Sequence, residues 1–340
     1  MRRLLIIAVV AAQLLVLFYM AGSREWILAK GETVYLRTAP IDPRDPFRGD
    51  FVRLNYEINA IGAQRLGEEL LEQKGEKGRK VYTLLQNGED GIAMPTRTVA
   101  AAPQGELFIR GRITDNWRFG RRTDGIRIKY GIEQLFVEQG KGLAIEKRRG
   151  SRNAIQVPME VQVALGSDGT AVIKGYRWSR LGMRLELTRT PERRRGASVE
   201  EVEGSLSPRL KLTLQNVSPD PLILYLPNNH CGFKLVPSAW VKQDYRADFR
   251  GCDEYSAEPT DLITLIPAQE HVVEMDLSQP RWHMVLEGKS DEIGRLNRND
   301  MFRMVYRTPS KAALTQTEAD DVVWLGRLPS RAFNATGRLD

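Results

Sequence analysis

Nucleophilic side chains are scarce in the first half of this chain. Residues 24–150 contain no serine, no cysteine and no histidine. Catalysis by a serine or cysteine nucleophile needs that side chain beside a histidine or lysine base, so such arrangements are excluded within this segment. The sequence therefore favours a protein that is not an enzyme, and it leaves carboxylates as the alternative source of chemistry.

Cysteine is almost absent from the chain as a whole. The two cysteines, Cys231 and Cys252, both lie in the second half. In an oxidising compartment such a pair most simply forms one disulfide, and closing that loop stabilises a fold by about 3 kcal/mol. A metal site is the alternative because His230 adjoins Cys231, but the paired spacing of zinc ligands is missing. We predict a disulfide, no metal and no cofactor.

Long hydrophobic runs are limited to one, at residues 4–20, which follow Arg2 and Arg3. Seventeen helical residues span about 26 Å, close to the thickness of the hydrocarbon core. The arginines favour a cytoplasmic N-terminus. A cleaved signal peptide is the alternative, although Tyr19-Met20-Ala21 makes a poor cleavage site. We predict a single-pass signal anchor in the cell inner membrane, with the bulk of the chain in the periplasm.

A strong charge imbalance is also missing, since the net charge is +7 in 340 residues. The basic excess lies in clusters that would suggest nucleic acid in a cytoplasmic protein. Outside the membrane, lipid headgroups and envelope polymers are the available polyanions, so we predict contact with the membrane surface and no nucleic acid. The alternative is a set of solvated arginines partly paired with acidic residues. The clustered residues are Arg118, Arg121, Arg122, Arg127, Lys147, Arg148, Arg149, Arg152, Arg193, Arg194 and Arg195.

Helical periodicity is rare after the anchor, and strand-like alternation dominates. We predict one helix at residues 59–73 and a hairpin around the Asp-Gly turn at residues 168–169. Short strands with turns every eight to twelve residues indicate an all-β fold, here a small β-barrel or sandwich. The predicted strands in this half are residues 32–36, 50–58, 80–86, 91–99, 106–114, 126–133 and 156–165.

A charged segment at residues 190–206 divides the chain and has the composition of an exposed linker. The alternating pattern restarts after it, and its Leu-x-Leu-x-Asn strand, polar turn and apolar strand resemble the opening of immunoglobulin-like β-sandwiches. The predicted organisation is an anchor at 1–22, a β domain at 23–189, the linker, a sandwich at 207–310, and a tail at 311–340 with a possible last strand.

A corner rich in proline and charge lies at residues 42–56. Two X-Pro turns stiffen it, and a Gly-Asp turn leads into an alternating strand. Arginines interleave with the carboxylates and keep them ionised, which favours a structural or partner-binding network over catalysis or Ca²⁺ binding. Tyr56 falls on the inward face of the strand and Phe51 on the opposite face. The predicted partner-binding residues here are Asp42, Arg44, Asp45, Arg48, Gly49, Asp50, Phe51, Arg53 and Tyr56.

Two segments of the first half resemble one known family. Residues 49–56, GDFVRLNY, resemble the motif after which the GDYXXLXY family is named, with Phe51 in place of the tyrosine. Residues 130–140, YGIEQLFVEQG, resemble a later block of the same family, and they add Glu133 and Glu138 to the candidate partner-binding residues. The resemblance covers about residues 1–165. It implies a small extracytoplasmic domain on a single membrane anchor. The resemblance therefore indicates where the protein lies rather than what it does.

These observations support two hypotheses about function. The first is a non-enzymatic accessory or scaffolding protein, anchored in the membrane, that binds a polytopic membrane protein. The alternative is an envelope-polymer-binding protein or hydrolase that uses the acidic corner of Asp42, Asp45 and Asp50.

Overall fold

The fold is known from a computed structural model of the chain. It describes residues 2–38, 51–72, 76–119, 122–151, 153–188, 207–238, 241, 245–248, 252, 258–297, 299–309 and 323–339. The predicted linker at 190–206 lies outside these residues.

The first element is a long apolar helix that runs directly into the first strand. Its side chains over residues 4–20 are exposed, and it is long and apolar enough to serve as a membrane anchor or a signal sequence. Gly31 ends it, and the Gly31 amide donates to the Ile27 carbonyl at 2.8 Å. A Cβ at Gly31 would lie 2.7 Å from the carbonyl oxygen of Leu165, so only glycine allows this close approach of helix and sheet.

Strands dominate the first half after that helix. In chain order its elements are α1 (Arg2–Lys30), β1 (Glu32–Arg37), β2 (Phe51–Arg53), β3 (Ala60–Gly62), α2 (Glu68–Glu72), β4 (Lys80–Asn87), β5 (Ala93–Val99), β6 (Phe108–Phe119), β7 (Arg122–Lys129), β8 (Gln134–Phe136), α3 (Lys141–Arg149), β9 (Met159–Leu165) and β10 (Ala171–Trp178).

The strands of the first half form a nearly closed, barrel-like sheet. Five strands are hydrogen-bonded in the order β3-β7-β6-β4-β5, and three more in the order β1-β9-β10. A single bridge between Tyr35 and Ile92 joins these two groups at the start of β5. Strand β4 has the period-2 burial pattern of a sheet with one face toward the core, because Val81, Thr83 and Leu85 are buried while Lys80 is exposed. All these strands bury one shared hydrophobic core.

The second half is also built of strands and has its own hydrophobic core. Its elements are β11 (Leu181–Leu187), β12 (Arg209–Asn216), β13 (Leu222–Tyr225), β14 (Phe233–Pro237), β15 (Arg246–Ala247), β16 (Leu262–Leu265), β17 (Glu270–Asp276), β18 (Met284–Leu286), β19 (Lys289–Asp291), β20 (Met301–Arg307), β21 (Arg327–Pro329) and β22 (Phe333–Asn334).

Four small sheets make up this second half. They run β11-β12-β17, β13-β16, β15-β18-β19, and β14-β20-β21 with β22 also paired to β20. Cys231 and Cys252 form the predicted disulfide. The mainly-β fold with one N-terminal apolar helix is confirmed. The immunoglobulin-like arrangement stays a prediction.

Three sequence-based assignments of elements differ from the structure. The helix predicted at residues 59–73 is confirmed only over α2 (Glu68–Glu72), since Gly62 and Gly67 interrupt the segment and its first part pairs with β7 as β3. Strand β11, which sequence assigned to the first domain, pairs with β12 and packs in the second core. The segment at 311–340, predicted as a tail with a possible last strand, supplies two strands, β21 and β22, which complete the β20 sheet.

Candidate functional site on strands β2 and β8

The two sequence blocks that carry the family resemblance lie side by side. Strand β2 pairs antiparallel with β8, with Phe51 opposite Phe136 and Arg53 opposite Gln134. The ladder continues beyond β2, because the Leu54 amide donates to the Glu133 carbonyl at 2.8 Å. Segments about 80 positions apart in the sequence therefore form one continuous structural unit.

The inward face of this ladder is part of the first core. Val52, Leu54 and Tyr56 are all buried, which agrees with the predicted inward face. The Tyr56 hydroxyl donates to the carbonyl oxygen of Ile132 at 2.8 Å. Burial, helped by the nearby charge of Glu133, raises the pKa of Tyr56 far above its ordinary value. Tyr56 is thus a packing residue that stays protonated and ties the motif to the second block.

Glu133 organises the turn between β7 and β8. Its Oε1 accepts hydrogen bonds from the Tyr130 amide at 2.6 Å and from Asn59 Nδ2 at 3.3 Å, and its Oε2 accepts one from the Gly131 amide at 3.0 Å. Gly131 has a φ of 83°, which glycine adopts without strain. Because its oxygens already accept these bonds, Glu133 serves the fold rather than a reacting substrate.

The outward face of the ladder carries a large apolar side chain, Phe136, in an exposed position. Phe136 on β8 is 77% exposed, and Leu143 on the neighbouring helix α3 is 76% exposed. Helix α3 packs beside β2 and buries Ile145. Arg53 is exposed on the same ladder. We call Arg53 and Phe136, which lie on the same outward face of the β2–β8 ladder, the docking face.

Glu138 lies at the edge of this face, in an exposed ion pair with Lys141 at 2.7 Å. The pair lowers the pKa of Glu138 and raises that of Lys141, in each case chiefly through their hydrogen bond. A carboxylate held ionised by a lysine does not suit a general acid.

The remaining predicted residues of the motif cannot be placed beside these. Asp42, Arg44, Asp45, Arg48, Gly49 and Asp50 lie outside the described residues, and for Phe51 the structure describes the backbone alone. Phe136 is not among the residues that the sequence predicted for partner binding. The alternation of Gln134, Leu135, Phe136 and Val137 could have signalled that Phe136 points away from Leu135.

A second polar cluster lies where the two halves meet, and the sequence analysis missed it. Arg37 on β1 is almost fully buried and pairs through Nη2 with Glu160 at 3.0 Å and with Asp90 at 3.4 Å. Arg177 also pairs with Glu160, at 2.7 Å. Burial raises the pKa of Asp90 above its ordinary value despite the neighbouring arginine.

This cluster reaches across to the second half. Arg37 Nη1 donates to the backbone carbonyl of Arg327, and the Arg327 guanidinium pairs with Glu57 at 3.2 Å. Burial alone would lower the pKa of Arg37, but the charges of Glu57 and Glu160 raise it above its ordinary value. A small cavity of about 40 Å³ adjoins the cluster and is lined by Thr38, Glu57 and residues of the second half. Glu57, which follows the motif tyrosine, therefore links the motif to the C-terminal half through its ion pair with Arg327.

Within the described part of the chain, no group of three or more His, Cys, Asp or Glu residues is arranged to hold a metal ion. The chemistry that the described site offers is recognition, by an exposed aromatic side chain beside charged groups.

Comparison with known proteins relates the first half to a family. Residues 13–175 match the family model described as GDYXXLXY protein. The N-terminal half of this chain is similar to the GDYXXLXY family. The matched segment takes in most of α1, the β2–β8 ladder and the barrel-like sheet up to β10, and it ends before β11. No curated protein and no solved structure shows a significant match to this chain.

Proposed function

We propose that this protein is a non-enzymatic accessory or scaffolding subunit, anchored in the membrane by α1, that binds a polytopic membrane protein through the docking face. The exposed position of Phe136, directly opposite the motif strand, carries the proposal. Aromatic residues surrounded by polar and charged groups are the usual anchors of protein interfaces. The carboxylates of the described site serve the turn or a surface ion pair, which favours binding over catalysis.

The location rests on α1 and on the charges around it. Arg2 and Arg3 precede the apolar run, so the positive-inside rule favours a cytoplasmic N-terminus and a β domain on the outer side of the inner membrane. The GDYXXLXY match begins inside α1 and continues through the docking face. The family match thus includes both α1 and the docking face, which supports a protein that acts close to the bilayer.

A photo-crosslinking residue at Phe136 of the full-length protein, in intact cells, tests this proposal. We expect adducts with one polytopic membrane protein. The matched control is the same residue at Ile266, which is 60% exposed but lies in the second half. Identical adducts from both positions, or none from Phe136 in a folded and correctly localised protein, would overturn the proposal.

A substitution pair separates binding from folding. We expect Phe136→Ser to abolish capture of the partner by crosslinkers placed elsewhere on the docking face, with an unchanged melting temperature. Ile266→Ser should leave both properties unchanged. Loss of protein level in parallel with loss of the complex would instead make Phe136 a packing residue. The alternative of a hydrolase or polymer-binding protein rests on Asp42, Asp45 and Asp50, outside the described residues, and stays a prediction.

A further inference from the structure

Three basic residues form a line across the outer surface of the barrel-like sheet. Lys80 on β4 lies directly opposite Arg112 on β6, and Arg112 lies directly opposite Lys129 on β7. All three side chains are exposed, while their neighbours in sequence on the same strands point into the core. We call Lys80, Arg112 and Lys129 the basic row.

The basic row is unfavourable for the sheet on its own. Like charges directly opposite one another on adjacent strands destabilise the pairing. Among the residues that the structure describes, none of the three forms a salt bridge, and the contact of Arg112 is a hydrogen bond from Nη1 to the Gly78 carbonyl at 2.9 Å. An anion bound across the row would remove this repulsion.

Protection of a sheet edge does not explain Arg112, the centre of the row. Lysines on edge strands commonly prevent aggregation through unpaired edges. Strand β6, however, is the middle strand of the five, and Arg112 is paired on both sides, with Lys80 and with Lys129. Lys80 precedes the first β4–β5 pair and Lys129 lies beyond the last β3–β7 pair, so these two lysines flank the paired arginine.

The basic row lines an open groove of about 590 Å³. Lys77 adds a further cation to its walls, and Arg110 also lines it but pairs with Asp168 at 2.7 Å. Among its described lining residues the one carboxylate is Glu133, whose oxygens accept the backbone amides of Tyr130 and Gly131. The groove thus combines a concave shape with a strong excess of positive charge, the combination that concentrates anions.

The shape of the row indicates an extended anion rather than the bilayer. Adjacent strands lie about 4.8 Å apart, so the three charges extend over about 10 Å. Phe108, at the start of β6, lines the groove that contains Trp26 at the end of α1. Arg112 lies four residues further along β6, about 13 Å from Phe108. This distance exceeds the Debye length of about 8 Å at physiological ionic strength, so charges of a bilayer at the end of α1 would be largely screened at the basic row.

We propose that the basic row binds a linear, phosphate-bearing chain, with successive phosphate groups contacting Lys80, Arg112 and Lys129. Arginine grips a phosphate with two parallel hydrogen bonds, and the lysines on either side supply compact charges. This site is separate from the docking face and does not depend on a protein partner.

Sodium tripolyphosphate binding to the full chain in detergent micelles, at matched ionic strength, tests the site. We expect tripolyphosphate to raise the melting temperature of the wild type. Combined substitution Lys80→Gln, Arg112→Gln and Lys129→Gln should weaken binding at least tenfold and reduce the salt dependence of the affinity. The control carries Lys174→Gln, Lys211→Gln and Lys289→Gln, which remove three exposed charges elsewhere and should bind like the wild type.

The same variants give a readout without ligand. Because the row repels itself, the triple row variant should melt at or above the wild-type temperature when no phosphate is present. If that variant does not fold, Arg112→Gln alone replaces it and should still lose affinity. Equal binding by row and control variants, no response of the wild type to tripolyphosphate, or binding only to vesicles of anionic phospholipid would each overturn the proposal.

Discussion

Glu57 and Arg327 form an ion pair, at 3.2 Å, between the GDYXXLXY-like domain and the C-terminal half. Glu57 directly follows the motif tyrosine, and Arg327 begins β21. The side chains are 16% and 32% exposed, so water screens the pair only in part. The motif region and the second core are thereby coupled through charge as well as through the chain.

We expect Arg327→Met to lower the free energy of unfolding by about 2 kcal/mol, between the values for exposed and buried pairs. The loss arises because the Glu57 side chain, which is 16% exposed, loses its ion-pair partner, and urea denaturation measures it. Glu138→Gln, which breaks the exposed pair with Lys141, is the control and should change little. Equal effects of the two substitutions would show that the Glu57–Arg327 pair contributes no more than a surface contact.

Tyr56→Phe tests whether the motif tyrosine is structural. Removal of its hydroxyl leaves the Ile132 carbonyl without that donor in the core, and we expect a loss of about 1–2 kcal/mol in the free energy of unfolding. Tyr176→Phe, at a residue that is 41% exposed, should leave stability unchanged. Unaltered stability of Tyr56→Phe together with loss of partner capture would instead make Tyr56 a binding residue.

His230 makes the second half sensitive to mild acid. Burial, reinforced by the charge of Arg281, lowers its pKa in the folded protein. Since the unfolded chain then takes up a proton more readily, His230 contributes stability in full above pH of about 6.5, and that contribution is lost as the pH falls toward the folded-state pKa. We expect the melting temperature to fall between pH 7.5 and 5.5.

His230→Asn isolates this contribution without backbone strain. The residue has a φ of 58°, a region that asparagine tolerates. The melting temperature of the variant should fall less on acidification than that of the wild type. Some pH dependence should persist because burial also lowers the pKa of His271. Parallel melting profiles for the two proteins would contradict the assignment to His230.

The Cys231–Cys252 disulfide should stabilise the second core. The bond closes a loop with a sequence separation of 21, and we expect its removal by Cys231→Ala with Cys252→Ala to lower the free energy of unfolding by about 3 kcal/mol. Treatment with a reductant should destabilise the wild type and leave the double variant unaffected. A reductant effect on both proteins would point to a cause other than this bond.

Local patterns predicted the strands well because burial alternates along them. The alternation of Val52, Leu54 and Tyr56 was enough to identify an inward face. The helix predicted at residues 59–73 forms only over Glu68–Glu72, for a complementary reason. Apolar residues at helical spacing were present, but pairing of residues 60–62 with β7 outweighed that local preference.

Long-range pairing was beyond the reach of a single sequence. Nothing in the local pattern of residues 181–187 distinguishes a strand of the first core from one of the second, since only the partner β12 decides it. The cluster around Arg37 was missed for the same reason, because Glu160 lies 123 positions away in the sequence. The alignment of Lys80, Arg112 and Lys129 likewise depends on the register between three strands.

The direct passage from α1 into β1 fixes how high the domain stands above a bilayer. With 29 residues the helix is about 44 Å long, some 14 Å more than the hydrocarbon core requires. The close contact of Gly31 with β9 leaves no hinge there. In the membrane-anchored arrangement that we propose, movement of the docking face is confined to a thin layer parallel to the membrane. Encounter with the proposed partner is then a lateral, two-dimensional search, open to proteins whose loops reach that layer.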